Sequence, residues 1–346
     1  MKKGILLVND MAGHSKVGMG AMMPILSYLG HPTFNLPTAL VSNTFDYGRF
    51  NIMDTTDYIR GTLPVWKELG FHYDAICTGC MFTEEQARLM ADYCREQSEQ
   101  RGTLVFVDPV MGDGGRFYNG MTERNVQLMR EMVAVADLTF PNYTEAALLT
   151  GIPFQPEGMS WEEAKQMLDG VHRIGAKSVL ITSSLVEGEN CVVGFNHFSG
   201  EYFRLQYEVI PGLFHGTGDL FSAILIAHLL DGLSLVECTR RAMDGVYQLI
   251  DLNKDMRDKN RGILVERFLS ILDYPSQPPS SPIVRLEKRA TELKRVLVVA
   301  PSILPPKGRP PFSWVSKYPL YGRGKGGGSF SPYGGDKRGA FSLQGN

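Results

Sequence analysis

The sequence predicts an α/β fold, with a mostly parallel central sheet and helices on both faces. Three observations lead there. Short apolar strands alternate with helical segments along most of the chain. Polar residues follow strand after strand, as Asn9-Asp10, Thr78-Gly79, Asp108-Pro109, Pro141-Asn142 and Thr182-Ser183-Ser184. A glycine-rich turn, Gly216-Thr217-Gly218-Asp219, feeds the apolar run Leu220–Leu230. Ligands of parallel sheets bind beyond the carboxyl ends of the strands, so the polar ends and the turn point to one shared site.

The elements follow in order. Ile5–Val8 reads as a strand, and Gly18–Leu29 has helical spacing. Ala75–Cys77 is a strand before a turn. Thr83-Glu-Glu-Gln86 has the capping-box pattern and starts a helix to about Glu99. Thr103–Val107 is a continuous apolar strand, and a helix follows around Arg124–Val135. Leu138–Phe140 is a short strand, and Thr144–Thr150 is a helix closed by Gly151. Ser160-Trp-Glu-Glu163 is a second capping box, opening a helix to Ile174 with Gly175 as its stop. Ser178–Thr182 is a strand, and Cys191–Phe195 with Tyr202–Gln206 suits a hairpin or meander. Leu220–Leu230 is a buried helix, and Ser234-Leu-Val-Glu237 opens the last one, to about Leu252.

The 346 residues, 43% hydrophobic and 21% charged, fit a globular protein with a sizeable core. The net charge of −2 hides an asymmetry. Residues 277–346 hold 12 basic and 3 acidic side chains, and the remainder holds 23 basic and 34 acidic. An acidic body argues against nucleic-acid binding. No run approaches a membrane span, and the apolar segment after Met1-Lys2-Lys3 is too short for a signal peptide. The cysteine count of five is odd, so a reducing cytoplasm is the expected location. Cys77-Thr-Gly-Cys80 is a lone C-x-x-C without a second pair, a weak signal for zinc or redox chemistry. The folded body is expected to span 1–274. The Pro/Gly-rich basic tail, 275–346, opens on a linker-like stretch and reads as disordered. A mis-joined reading frame would give the same composition.

Each motif carries two readings. Gly216–Asp219 is either an ordinary helix start or an anion-binding turn with a proton-handling carboxylate. Asp108 at a strand end, with Asp113 five residues on, is either a pair of turns or a place for Mg²⁺, which takes oxygen ligands. Asn142 and Glu145 either cap a helix or face phosphates and metal. No G-x-x-x-x-G-K-[ST] loop occurs, so any use of ATP proceeds without a P-loop.

These residues, in this order, resemble the ribokinase-like superfamily and, within it, the pyridoxal/pyridoxamine kinases. The matching pieces are Asn9-Asp10, Leu40-Val-Ser-Asn-Thr44, Thr78-Gly79, Asp108-Pro-Val-Met-Gly-Asp113, Pro141-Asn-Tyr-Thr-Glu145, Leu149-Thr-Gly151, Ile181-Thr-Ser-Ser184 and Gly216-Thr-Gly-Asp219. They span residues 5 to about 270. The resemblance implies a ribokinase-like three-layer sandwich and ATP-dependent phosphorylation of the 5′-hydroxymethyl group of a B6 vitamer. Asp219 would take the hydroxyl proton, and the N–H groups of Gly216, Thr217 and Gly218 would form an anion hole. Asp108 and Glu145 would lie along the Mg²⁺–phosphate path with Asn142. Thr182 and Ser183, with Thr217, would touch the nucleotide phosphates. Asp10 and Thr44 would bond the ring substituents, and Cys80 would stand at the pocket wall. A homodimer also goes with the resemblance, with a monovalent cation as a candidate cofactor, while the acidic body and the lack of a long apolar run predict no nucleic-acid or membrane partner.

Two departures bear on the substrate. Many such kinases carry serine where Asp10 stands and tyrosine where Cys80 stands. A charged Asp10 favours a protonated ring nitrogen or an amine-bearing vitamer. The alternatives are a hydroxymethylpyrimidine kinase, which acts on a similar ring alcohol, and a non-catalytic binding protein on the same fold.

Overall fold

Strong local signals set half of the helix starts. Thr83, Asn142, Ser160 and Ser234 each accept a hydrogen bond from the backbone N–H three residues on, at Gln86, Glu145, Glu163 and Glu237. The computed structural model describes residues 2–273 and 283–289. Its strands are β1 (Ile5–Ala12), β2 (Thr33–Val41), β3 (Ile52–Asp54), β4 (Ala75–Thr78), β5 (Leu104–Val107), β6 (Gly112–Asp113), β7 (Arg116–Phe117), β8 (Leu138–Thr139), β9 (Ser178–Val186), β10 (Glu189–Asn196), β11 (Glu201–Gln206) and β12 (Ile283–Lys288). Its helices are α1 (Met19–Tyr28), α2 (Thr56–Glu68), α3 (Glu84–Arg101), α4 (Glu123–Val133), α5 (Tyr143–Thr150), α6 (Trp161–Ile174), α7 (Thr217–Leu230) and α8 (Leu235–Asn253).

Ten strands form one sheet in the order β12-β11-β10-β9-β8-β5-β4-β1-β2-β3. The six central strands, from β9 to β2, run parallel, and β3, β10, β11 and β12 add antiparallel edges. Residues of period two separate the faces. Leu6, Val8, Ile76, Val105 and Val107 pack with α2–α6, whereas Ile5, Leu7, Ala75, Cys77 and Phe106 pack with α1, α7 and α8. These two cores make the expected three-layer sandwich of the ribokinase-like fold.

The sheet order positions the site. From the centre the chain runs to one side through β2, then returns to build β4, β5, β8 and β9 on the other. β1 and β4 therefore flank the switch point, where a parallel sheet leaves a crevice at its carboxyl edge. Asn9-Asp10 and Gly79-Cys80 stand there.

Among the elements without a clear signal in the sequence are β2, β3 and α2. Proline is the reason for two of them. Pro37 lies where the β1–β2 register shifts between Asn9 and Met11, so the irregularity accommodates a residue that a regular ladder rejects. Pro64 sits inside α2.

The boundary expected at 274 is also too early. β12 pairs antiparallel with β11, from Glu201↔Lys288 to Leu205↔Ile283. Arg289 N–H donates to the Gly200 carbonyl at 2.7 Å. Glu287 meets Lys165 at 2.9 Å, and Arg289 meets Asp169 at 3.2 Å and lies over the Phe195 ring at 5.1 Å. A ladder partner outweighs a Pro-rich approach, so these residues belong to the sheet. The rest of the expected tail, 275–282 and 290–346, lies outside the described residues.

Ending the chain at 274 is expected to destabilise it by about 1–3 kcal/mol, from one edge ladder and two partly buried ion pairs. At roughly 2–4 °C per kcal/mol for a chain of this size, the melting temperature drops by several degrees. The truncation at 289, which keeps β12, is the reference against which that drop is read. Identical melting of the two truncations would show that β12 adds nothing.

Candidate active site

Asp219 lies in the first turn of α7. That helix is held firmly, because Leu220, Ala223, Ile224, Leu225, Ile226 and Ala227 are buried at 0–1% exposure. Each large one contributes about 1.5–3 kcal/mol. Its N-terminus has no side-chain cap. The first-turn N–H groups thus face the crevice with the positive end of the helix dipole.

Gly216 makes this start possible. It has φ 82°, and a Cβ there would stand 2.4 Å from the Lys16 carbonyl oxygen. Gly218 is the opposite case, since a Cβ there would meet nothing within 4 Å. The space in front of the turn is open. Thr217 turns its hydroxyl back to the Phe214 carbonyl at 3.4 Å.

The half-buried Asp219 carboxylate is held at both oxygens. Gly18 N–H donates to Oδ2 at 2.8 Å, and Asn9 Nδ2 donates to Oδ1 at 3.2 Å. Val8 and Val107 face the α2–α6 side, so the next residues, Asn9 and Asp108, turn toward α7. Ser222, one turn along α7 from Asp219, lies 3.4 Å from Asp108 Oδ2. Thr78 is buried and does not join them.

Three carboxylates thus converge: Asp10, Asp108 and Asp219. Burial, followed by the charge of Asp219, raises Asp10 to about 7 and Asp108 to about 8. Burial also raises Asp219, but the Gly18 and Asn9 hydrogen bonds limit it to about 6. Asp219 is therefore the first of the three to ionise. A carboxylate ready to accept a proton near neutral pH is what general-base chemistry needs.

Asn142 and Glu145 form a complete capping box. Asn142 Oδ1 accepts from Glu145 N–H at 3.0 Å, and Glu145 Oε2 accepts from Asn142 N–H at 2.9 Å. Glu145 Oε1 also accepts from Met111 N–H at 2.9 Å, and Asn142 Nδ2 donates to the Gly112 carbonyl at 2.7 Å. The pair thus anchors the strand following Asp108 to the start of α5. Burial and then Asp108 push the Glu145 carboxyl well above its usual range. None of the groups that shift Asp108 or Glu145 is cationic. Two crowded carboxylates without a cation suit a hard ion such as Mg²⁺, which takes one or two carboxylates and fills its shell with phosphate and water. Among the described residues no three such side chains form a cage. Asp113 ends β6, its Oδ1 accepting from Gly114 N–H at 2.7 Å at the turn into β7.

The remaining expected residues fall around this centre. Thr182 N–H donates to the Pro141 carbonyl at 2.9 Å, which sets it beside Asn142. Ser183 is exposed and adopts φ 53° where the β9–β10 register shifts, a bulge that re-aims the strand end. Thr44 uses its hydroxyl proton on the Asn260 carbonyl at 2.9 Å. It thereby ties the 45–47 turn to the 259–261 turn and keeps only acceptor capacity toward a ligand. Cys80 is half-buried, and burial, then Asp10, raises its thiol well above the usual value. All five cysteines are free thiols.

Asn9 and Gly18 were underrated in the sequence. Asn9 stood there only as one polar strand end among several, and Gly18 only as a helix start. Their bonds to Asp219 cross some two hundred residues, which no local pattern records.

The sequence signature of the phosphomethylpyrimidine kinase family matches residues 42–263. A provisionally assigned pyridoxal kinase of Schizosaccharomyces pombe is 30% identical over 68% of this chain and 76% of its own length. The pyridoxal kinase of Sus scrofa is 34% identical over 45% of this chain. That match spans 52% of the pig enzyme, about half its length. Among solved structures, a provisionally assigned phosphomethylpyrimidine kinase from Bacteroides thetaiotaomicron superposes with a TM-score of 0.77 at 32% identity. It covers 82% of this chain and 100% of its own, and that crystal form contains pyridoxal.

Proposed function

Because this chain belongs to the phosphomethylpyrimidine kinase family and its relatives include pyridoxal kinases, we propose that it phosphorylates the 5′-hydroxymethyl group of a B6 vitamer with ATP. One observation carries the mechanism: a doubly held carboxylate, Asp219, in the first turn of an uncapped helix at the switch point.

The vitamer ring lies between the ends of β1 and β4, with Asp10 and Cys80 as its wall. The hydroxymethyl oxygen faces Asp219, which takes its proton. That oxygen bonds to the γ-phosphorus as the bond from phosphorus to the ADP oxygen breaks. N–H groups of Gly216, Thr217 and Gly218 receive the charge that develops on the transferred group. Loss of one comparable donor costs roughly 3–4 kcal/mol. Thr182 and Ser183 reach the nucleotide phosphates from the far side. Asp108 and Glu145 would hold Mg²⁺, which offsets phosphate charge when bound. Asn142 keeps those carboxylates in register through its capping box.

The second reading is a hydroxymethylpyrimidine kinase, favoured by the family's description. Coupled ADP release with pyridoxal, pyridoxamine, pyridoxine and hydroxymethylpyrimidine separates the readings. Turnover on the B6 vitamers is expected, with pyridoxamine preferred because its amine faces Asp10. Turnover on the pyrimidine alone would favour the second reading, and none on any of the four would leave a binding protein.

A homodimer is supported by the sheet edge at β3, which no described strand covers. Ile52 and Met53 are 39% and 60% exposed there, with Phe34, Leu40 and Phe50 also exposed nearby in the chain. Light scattering that gives one chain per particle would remove it. Free thiols fit a cytoplasmic location, and no helix among the described residues is long and apolar enough to cross a membrane.

A further inference from the structure

We propose that Asn9 is a positioning residue for the Asp219 carboxylate, and that its one amide fixes the base in register with the wall that holds the substrate ring. The inference rests on the reading of Asp219 as the proton acceptor.

Asn9 is 4% exposed, so its polar atoms need partners. Its Oδ1 accepts two backbone N–H groups, from Asp10 at 2.9 Å and from Cys80 at 2.9 Å. Its Nδ2 donates to Asp219 Oδ1 at 3.2 Å. This orientation is not interchangeable. Flipping the amide would set its NH₂ against two backbone donors and its oxygen against a carboxylate. The two N–H groups from the pocket wall therefore force the donor side onto Asp219.

A second observation is independent of these bonds. A Cβ at Gly79 would lie 2.5 Å from Cγ, Nδ2 and Oδ1 of Asn9. The chain leaving β4 is kept bare where the amide passes. Any side chain at position 79 displaces Asn9, and with it the base.

The arrangement links two tasks. Donation to a carboxylate favours its ionised form, so Asn9 keeps Asp219 basic but charged, despite burial. Acceptance from Asp10 and Cys80 sets the backbone of both wall residues. The hydroxyl of a bound ring thus meets a base whose position is measured from the same atoms as the ring.

Asn9→Asp separates this role from scaffolding. It has the same volume and keeps acceptor oxygen for both N–H groups, but replaces the amide donor with a second carboxyl that faces Asp219, so charge repulsion adds to the loss of the donor. A hydrogen bond to a charged group carries a factor of roughly ten to a hundred. The variant is expected to lose at least ~10-fold in kcat with ATP KM unchanged. The acid limb of its kcat/KM profile should move up by about one pH unit or more. In an Asp219→Asn background the same change should cost less than about twofold, because the partner is already gone. Asn9→Ala removes both the donor and the acceptor, and its thermal melting reports what the whole amide adds to stability. An unmoved acid limb in Asn9→Asp, or equal losses in both backgrounds, would overturn the proposal. If Asp219→Asn itself keeps full kcat, the reading of the base fails instead.

Discussion

Asp219→Asn is expected to lower kcat by at least ~10²-fold while ATP affinity stays nearly intact. The substitution removes the proton acceptor and leaves the α7 backbone in place. Its cost to folding is limited but real. The new NH₂ must face either the Gly18 N–H or the Asn9 Nδ2, one donor against another, at about 1–3 kcal/mol. Thermal melting therefore accompanies the kinetics, and an unchanged kcat in a folded variant would remove the assignment. The wild-type pH profile carries the matching signature. A base works only when deprotonated, and burial places this carboxyl at about 6. Activity should thus be full above that pH and fall about tenfold per unit below it. The limb should vanish in Asp219→Asn.

The second large effect contrasts two glycines of the same turn. Gly216→Ala meets the Lys16 carbonyl at 2.4 Å with a φ of 82°, so the turn must move, and both stability and turnover should fall. Gly218→Ala meets nothing within 4 Å. Its melting temperature should match the wild type, yet its methyl projects into the space proposed for the transferred phosphoryl group. A loss of at least ~10² in kcat/KM is expected, the scale of one missing oxyanion contact. A stable Gly218→Ala enzyme with wild-type kinetics would place the phosphoryl group elsewhere.

What could be read in advance follows from the range of each signal. Helix starts at Thr83, Asn142, Ser160 and Ser234 were legible because a cap and its partner lie three residues apart. The parallel core was legible because its strands are short, apolar and regularly spaced. Pro37 and Pro64 obscured β2 and α2, since the tertiary features that tolerate them are invisible locally. The candidate residues Asp10, Asp108 and Asp219 do meet in space. Their crowding, which orders their ionisation, depends on burial and on Asn9 and Gly18. For Asn142 and Glu145 the capping reading is directly visible as hydrogen bonds, and their nucleotide role remains part of the proposal.

Of the sheet's described strands, β12 is the last to be synthesised. β11 waits for its outer neighbour while the chain builds α7 and α8, with all of its kinase residues already made. Until residue 288 emerges, a nascent chain offers the backbone donors and acceptors of β11 to any passing strand. Expression systems that stall or cleave within 274–288 should accordingly yield aggregates before they yield inactive monomers.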